Sequence, residues 1–390
     1  MRYNMLISVD AGAPCRIMSR SLNLLLVTFG SILQPRSGLA IRSRAVFEAL
    51  LDLGIAPSVI SSEEPTRLME ESAVKSLRIY ALKRPLRLGW SVELVQRIRE
   101  ISENVDAIIV SSAMLMPAVV YSQTRLPVIW DTNECETLHY RRLDGSLRNR
   151  LKGAIWQRLE ELAGSRCRIA VAISDVEAKW WKQLFPQLEK KLMVVNHRPI
   201  INTDPSNVES HRCPRSPEET MLLFVGSMGG KHNAAAANWL LKVLAPTLPS
   251  QSVLVLAGKG TNELTLPCET GAEVRCLGEV EGIDALIAMA DYCLAPLASG
   301  AGVKTKVLHY LAHGKRIIGT PLACEGLEDA PGLFSAELGE WCAYLPALMK
   351  QVENDPERRS RQKSQHEWLE ARHGRRVVAE QWRAVLGRIM

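Results

Sequence analysis

The feature that most constrains this chain is an alternation of short apolar runs with helix-period segments, met twice in series. In the first pass Leu22–Thr28 and Ala56–Ser61 read as strands around a helix at Ile41–Leu53 that Gly54 stops. Ser91 caps a helix, SVELVQRIREISENV, which leads into a strand at Asp106–Ser112. Leu126–Asp131, Arg168–Ile173 and Leu192–Asn196 add strands, with a charged helix at Ser146–Leu162. The pattern then lapses into HRPIINTDPSNVESHRCPRSPEET, a polar segment with four prolines. It restarts with MLLFVGSM, the helix NAAAANWLLKVLAP capped by Asn233, SVLVLAGKG, EVRCLGEV, DYCLAPL and KRIIGT. Strands separated by helices pair in parallel, because a parallel crossover needs a helix-length connection. The expected fold class is α/β, two Rossmann-like doubly wound domains facing a cleft, with ligands beyond the carboxyl ends of the strands.

The boundaries that follow are a loose N-terminal extension at 1–20, a first domain at 21–198 and a linker at 199–220. A second domain spans 221–372 and a C-terminal helix 373–390. Arg20 followed by LNLLLVTFGSIL and SGLA has the look of a weak signal peptide. A first strand followed by a glycine turn fits better, since cleavage would strip the next helix of its strand, and Met18 is a candidate start. The nine cysteines are odd in number and scattered without a C-x-x-C pair, which favours a reducing cytoplasm over a disulfide or zinc framework. No run approaches the roughly 18 apolar residues that span a bilayer. Charge is uneven: 28 Lys and Arg stand against 20 Asp and Glu through Arg198, and 20 against 22 afterwards. A basic first half is compatible with an anionic partner surface, as is a merely solvated face.

Chemistry concentrates in APLASGAGVKTKVLHYLAHGKRIIGT, Ala295–Thr320. The small-residue loop Ser299-Gly300-Ala301-Gly302 lets a ligand approach the backbone, and a helix from about Val303 offers unpaired N–H groups to an anion. Lys304 and Lys306 in its first turn oppose the helix dipole unless something negative lies beside them. Val303, Val307, Leu308 and Leu311 form an apolar stripe that suits an ordinary buried helix, while Lys306, His309 and His313 fall on the opposite side. In the first domain, GSILQPRSGLAIR places Gly38 at a helix start. WDTNECETLHYRR gathers Asp131, Glu134, Glu136 and His139 just past a strand end, where carboxylates suit general base work or helix capping equally.

These stretches carry a resemblance that covers about Leu22–Leu386. The chain resembles a GT-B glycosyltransferase of the large family whose donor site often holds a Glu-x7-Glu motif. It is most similar to a bacterial sugar-transferase subgroup marked by FVGSM and N-x-x-A. FVGSMGGKHNAAAANWL at Phe224–Leu240, VKTKVLHYLAHGKRIIGTPLACEGL at Val303–Leu327 and the pattern of Trp130–Arg142 are the matching stretches. The resemblance implies a metal-independent, hexosyltransferase-like enzyme of polysaccharide biosynthesis with no cofactor beyond a nucleotide-sugar co-substrate. It implies a C-terminal helix, Arg375–Ile389 with Trp382, that crosses back onto the first domain. Donor binding falls on Gly38, Ser227, Lys231, Gly300, Ala301, Gly302, Lys304, Lys306, His309 and Glu325, and catalysis on Asn133, Glu134 and Glu136. No metal ligand is implied.

The chain departs from the family pattern in three places. The motif's two acids fall at Ala301 and His309, and the subgroup's histidine at Asn133. A neutral imidazole has one acceptor nitrogen and cannot replace a bidentate carboxylate on a ribose, and an amide exchanges no proton near neutral pH. Two functions stay open: transfer of a sugar to a saccharide, lipid-linked or small-molecule acceptor, and a weak or inactive relative that serves as a binding or partner subunit. A nucleotide-sugar epimerase is a distant third. Nucleic acid is not an expected partner. RIYALKRPLRLGW at Arg78–Trp90 is a candidate contact with an anionic membrane.

Overall fold

The computed structural model describes residues 22–30, 32–33, 37–61, 79–81, 89–143, 145–201, 216, 218–268, 270–280, 282–349 and 358–389. The extension at 1–20 and most of the linker lie outside them.

The first domain contains β1 (Leu24–Thr28), α1 (Gly38–Asp52), β2 (Ser58–Ser61), β3 (Ile79–Ala81), α2 (Val92–Ser102), β4 (Ala107–Val110) and α3 (Met116–Tyr121). It continues with β5 (Val128–Asp131), α4 (Glu136–Arg141), α5 (Leu147–Arg166), β6 (Ile169–Ala172), α6 (Asp175–Leu184) and β7 (Leu192–Val194). Its seven strands are parallel, in the order β3-β2-β1-β4-β5-β6-β7. LLLVT, AIIV and IAVA are buried along their whole length, as a parallel sheet covered on both faces requires. Serine hydroxyls start four of the helices: Ser37, Ser91, Ser146 and Ser174 accept from the backbone N–H of Ala40, Leu94, Asn149 and Glu177.

The second domain contains β8 (Thr220–Val225), α7 (Lys231–Trp239), β9 (Ser252–Ala257), β10 (Glu273–Cys276), α8 (Ile283–Met289) and β11 (Tyr292–Ala295). After these come α9 (Thr305–Ala312), β12 (Arg316–Gly319), β13 (Leu333–Ser335), α10 (Leu338–Met349) and α11 (Arg358–His373). Its parallel sheet runs β10-β9-β8-β11-β12-β13. Two local expectations change. Asn233 does not cap α7, which starts two residues earlier behind Gly230, and its amide instead donates to Ser227 O at 3.1 Å. Helix α9 starts at Thr305, so Lys304 is its N-cap residue rather than part of its first turn.

The chain then recrosses. Trp368 and Leu369 of α11 lie in the second core with Tyr310 and Leu311. The last helix, α12 (Arg375–Gly387), buries Val378, Trp382, Val385 and Leu386 against Leu24, Leu26, Val46 and Leu50 of the first domain. The crossing is tied down by Asn196 Nδ2 donating to Arg372 O at 2.9 Å, by His373 Nδ1 on His197 O at 2.6 Å and by an Arg375–Asp52 ion pair. Strand order reverses between β1 and β4 in one sheet and between β8 and β11 in the other. A crevice opens at such a switch point beyond the strand ends, and here the two crevices face each other.

Candidate active site in the interdomain cleft

The loops leaving β8 and β11 form the second domain's side of the cleft. Helix α9 is fixed by its buried face: Val307, Leu308 and Leu311 pack into the core, and the Tyr310 hydroxyl accepts from Val225 N–H at 3.0 Å. Lys306 is thereby held against the end of β8. Its ammonium donates to Asn233 Oδ1 at 2.7 Å and lies 4.4 Å above the Phe224 ring, a cation–π distance. Burial pulls its pKa down to about 7, and Lys304 pushes the same way. Ser227 and Lys231 are exposed at the mouth of the β8 loop. A side chain at Gly226 would collide with Asn233, and Gly258 presses so closely on Gly226 that a Cβ there would stand 2.3 Å from its carbonyl oxygen.

The loop Gly300–Gly302 meets the first domain directly. Gly300 and Gly302 have φ of 128° and 66°, the left-handed region that favours glycine. A Cβ on Gly302 would reach within 2.1 Å of Glu177 Oε1. Ala301 N–H donates to Glu134 Oε1 at 3.0 Å, so the anion this loop holds is a carboxylate of the other domain. Lys304 does not point into the cleft. Its ammonium folds back onto Ala301 O and Gly302 O at 2.5 and 2.8 Å, and burial lowers its pKa despite the nearby Glu134, Glu325 and Glu177. Glu325, expected on the donor, is spent on a clasp between the domains. Arg142 grips both its oxygens at 3.1 and 3.2 Å and also donates to Gly300 O at 3.0 Å, and Trp180 Nε1 donates to the same carboxylate at 3.2 Å. Across the cleft, a Cβ on Gly38 at the start of α1 would touch Thr305 Oγ1 at 3.5 Å, so the N-termini of α1 and α9 face each other.

The three candidate catalytic residues separate. Asn133 sits at φ 57° and donates its amide to Ser111 O and to Asp131 O, which pins the ends of β4 and β5 together. Asp131 is likewise consumed, in a buried ion pair with Arg42 at 2.8 Å. Glu136 opens α4, and burial pushes its carboxyl up to about 8, with Glu134 and Glu160 adding to the effect. It is therefore protonated near neutral pH. Glu160 stands behind it on α5 and accepts from the N–H groups of Glu136 and Thr137 at 2.8 and 3.3 Å, capping α4 from outside the helix. Of the three candidates, Glu134 is the one that reaches the cleft, 41% exposed.

Two histidines complete the site and had no assigned role in the sequence. His139 lies with Nδ1 3.7 Å from Glu134 Oε1, and that nitrogen makes no hydrogen bond. Burial lowers its pKa, Lys304 and Lys231 push the same way, and Glu134 opposes them. His232 faces it from α7 with ring centroids 6.4 Å apart, its pKa lowered to about 4 by burial and then by Lys306. His139 was visible among the acids of Trp130–Arg142. His232 is signalled only by following Lys231 in GGKHN, and nothing local says that it will face another domain.

His309 is not a lone imidazole awaiting a ribose. Its Nε2 lies 2.7 Å from Asp284 Oδ1, and His313 Nε2 lies 2.7 Å from the same oxygen. Burial alone would raise the Asp284 pKa, but the two histidine hydrogen bonds hold it well below the usual carboxylate range.

Two parallel doubly wound domains, joined by a helix that recrosses and meeting at their switch points, make up the GT-B architecture. Among solved structures the chain superposes on HepE from Anabaena in complex with UDP and glucose at TM-score 0.70 and 15% identity, over 94% of this chain and 99% of that one. Sucrose-phosphate synthase from Thermosynechococcus elongatus gives TM-score 0.70 at 11% identity, with coverage of 94% and 99%. WaaG, a glycosyltransferase involved in lipopolysaccharide biosynthesis, gives 0.65 at 14%, with coverage of 94% and 100%. At these identities the likeness is one of fold. Within that fold, residues 219–344, the second domain from β8 into α10, match the family of glycosyl transferases group 1. No curated protein sequence matches the chain.

Proposed function

We propose that this protein is a glycosyltransferase that moves a sugar from a nucleotide-sugar donor to an acceptor, without a metal ion on the leaving diphosphate. The observation that carries this reading is the anion place at the centre of the cleft. There a loop N–H already holds a carboxylate, two helix N-termini face each other, and Lys306 stands beside the glycine loop of β8. Backbone N–H groups, helix N-termini and lysines stabilise the charge that grows on a departing diphosphate. The family match over the second domain supports the same donor. HepE binds UDP and glucose in a similar fold, which points to a nucleoside diphosphate sugar of that kind.

On the acceptor side, Glu134 and His139 are the groups able to hold or take up a proton. Both lie where the first domain meets the loop, and His139 has an unused nitrogen beside the carboxylate. Arg142–Glu325 keeps the two halves in register. The FVGSM subgroup and its bacterial polysaccharide setting fit this assignment.

The acceptor we favour is lipid-linked. Most of the basic segment Arg78–Trp90 lies outside the described residues, but a neighbouring layer supplies a clearer surface. Helix α3 packs on both α2 and α5. Trp90 and Tyr121 are exposed, in edge contact at 5.9 Å, and the N-terminal half of α5 carries the one-face stripe Leu147, Leu151 and Ile155, which are 84%, 62% and 52% exposed. Arg148, Arg150, Lys152 and Arg158 flank the stripe. An apolar stripe with a basic border suits the headgroup boundary of an anionic membrane.

The test is release of nucleotide from a panel of UDP-, GDP-, ADP- and TDP-sugars, run beside thermal shifts with the nucleoside diphosphates. Binding and turnover support the enzyme, and binding without turnover supports a partner subunit. No shift with any of them overturns the donor site.

A further inference from the structure

Apart from the diphosphate place, the described residues bring three metal-ligating groups together. Asp284 at the start of α8 and His309 and His313 on α9 offer one carboxylate oxygen and two imidazole nitrogens, all within 4.8 Å of one another. The two histidines are four residues apart and so share one face of their helix, their rings 5.5 Å apart. We propose that Asp284, His309 and His313 form a binding site for one divalent transition-metal ion, Zn2+ in the first place, with a coordination position open to solvent.

Two nitrogens and one carboxylate oxygen are a borderline donor set, which suits zinc and its neighbours rather than Mg2+ or Ca2+, whose shells are built from oxygens. Three protein ligands leave the fourth tetrahedral position to water or another ligand. The side chains are 13–15% exposed, so that position can be reached from outside. Both Nε2···Oδ1 distances are 2.7 Å, hydrogen-bond lengths that place an N–H between each ring and the carboxylate. Donor atoms around a tetrahedral zinc stand about 3.3 Å apart, from bond lengths of about 2.0–2.2 Å. The ion therefore needs an outward movement of only about half an ångström by side chains. With the ion on both Nε2 atoms, each ring carries its N–H on Nδ1 instead, the tautomer that a metal-bound histidine requires. His309 and His313 also stand at the C-terminal end of α9, where the partial negative charge of the helix favours a cation.

The site borders the donor place, since His309 lies one turn beyond Lys306 on α9, but its donor atoms are a separate set from Lys306 and the loop at Gly300–Gly302. It also gives the substitution at His309 a purpose. A histidine in place of a carboxylate completes the pair with His313, and α8 supplies the acid.

The experiment uses the full chain, stripped with a chelator and titrated with Zn2+ against a competing chromophoric chelator, with Co2+ as a spectroscopic stand-in. The expected result is one equivalent bound, a visible Co2+ band of tetrahedral type, and no response to Mg2+. His313→Ala and Asp284→Asn should each weaken binding by about tenfold or more. His366→Ala, an exposed histidine on α11, should change nothing. Because Asp284→Asn also loses a contact between helices, His313→Gln gives a milder removal of one ligand. Its melting temperature in chelator shows whether it folds. Wild-type affinity no greater than that of His313→Ala and His313→Gln, or no tetrahedral Co2+ band, would leave the trio a hydrogen-bonded clasp between α8 and α9 and overturn the proposal.

Discussion

Lys306 makes the donor site sensitive to protons in a way that calorimetry can read. Burial moves its pKa from the ordinary 10.5 to about 7, so the cation has lost up to about 4.8 kcal/mol at 1.36 kcal/mol per tenfold. The side chain is only partly covered, which makes that figure a ceiling. The sign for the free protein follows. Its unfolded state binds the Lys306 proton up to pH 10.5 and its folded state only up to about 7, so this residue makes stability rise with pH across that window. A diphosphate reverses the balance by favouring the ammonium. At pH 8 the free side chain carries about 0.1 proton and the complexed one close to a full proton, which gives an uptake of about 0.9 per ligand bound. At pH 6 the uptake falls to about 0.1. Affinity should therefore drop by about tenfold per pH unit above 7 and level off below it. Isothermal titration of a nucleoside diphosphate at pH 8, where its own phosphates are fully ionised, in two buffers of different ionisation enthalpy measures the uptake. Lys306→Met should remove it. Zero uptake at pH 8 by a protein that does bind the ligand would refute the placement of Lys306 at the diphosphate.

Glu134→Gln should lower turnover by about 10²-fold or more, while the affinity for nucleoside diphosphate, read by calorimetry, stays within a few fold. Arg142→Ala takes the guanidinium from a half-buried Glu325 and leaves Trp180 Nε1 still donating to it. It should cost about 1–3 kcal/mol in chemical denaturation and speed hydrogen exchange at the Gly300–Gly302 loop. Trp382→Ala removes a fully buried ring from the face of the first sheet and should cost about 3–5 kcal/mol. Replacing Leu147, Leu151 and Ile155 together by Ser should abolish flotation with anionic liposomes and leave the melting temperature within a degree or two. Equal flotation of the variant would remove the membrane face.

The alternation of strand and helix determined most of the fold by itself. Runs such as LLLVT and SVLVLA are apolar but for one terminal hydroxyl residue each and buried along their whole length, and only a sheet covered on both faces can use them. Serines at Ser91 and Ser146 mark their helix starts because the cap hydrogen bond is local. The glycines of 300–302 announced a loop for a similar reason, since glycine tolerates a left-handed φ wherever it stands, while the loop's place at a switch point came from the strand order. β3, β13 and the short helices α3, α4 and α8 escaped notice, because three to seven residues hold too little periodicity to separate from a loop, and the longer helices α6, α10 and α11 were not read either.

The uses of the charged groups were decided only by the tertiary structure. Lys304 and Lys306 look equivalent in sequence, yet one folds onto its own loop carbonyls and the other is carried by α9 to Asn233, 73 residues away. Glu325 reads as a donor ligand until Arg142, 183 residues earlier, is found gripping it. His309 looked like a defect until α8 brought Asp284 beside it. Residue type states what a side chain is able to bond. Its partner is chosen by the packing of distant elements, which no local spacing records.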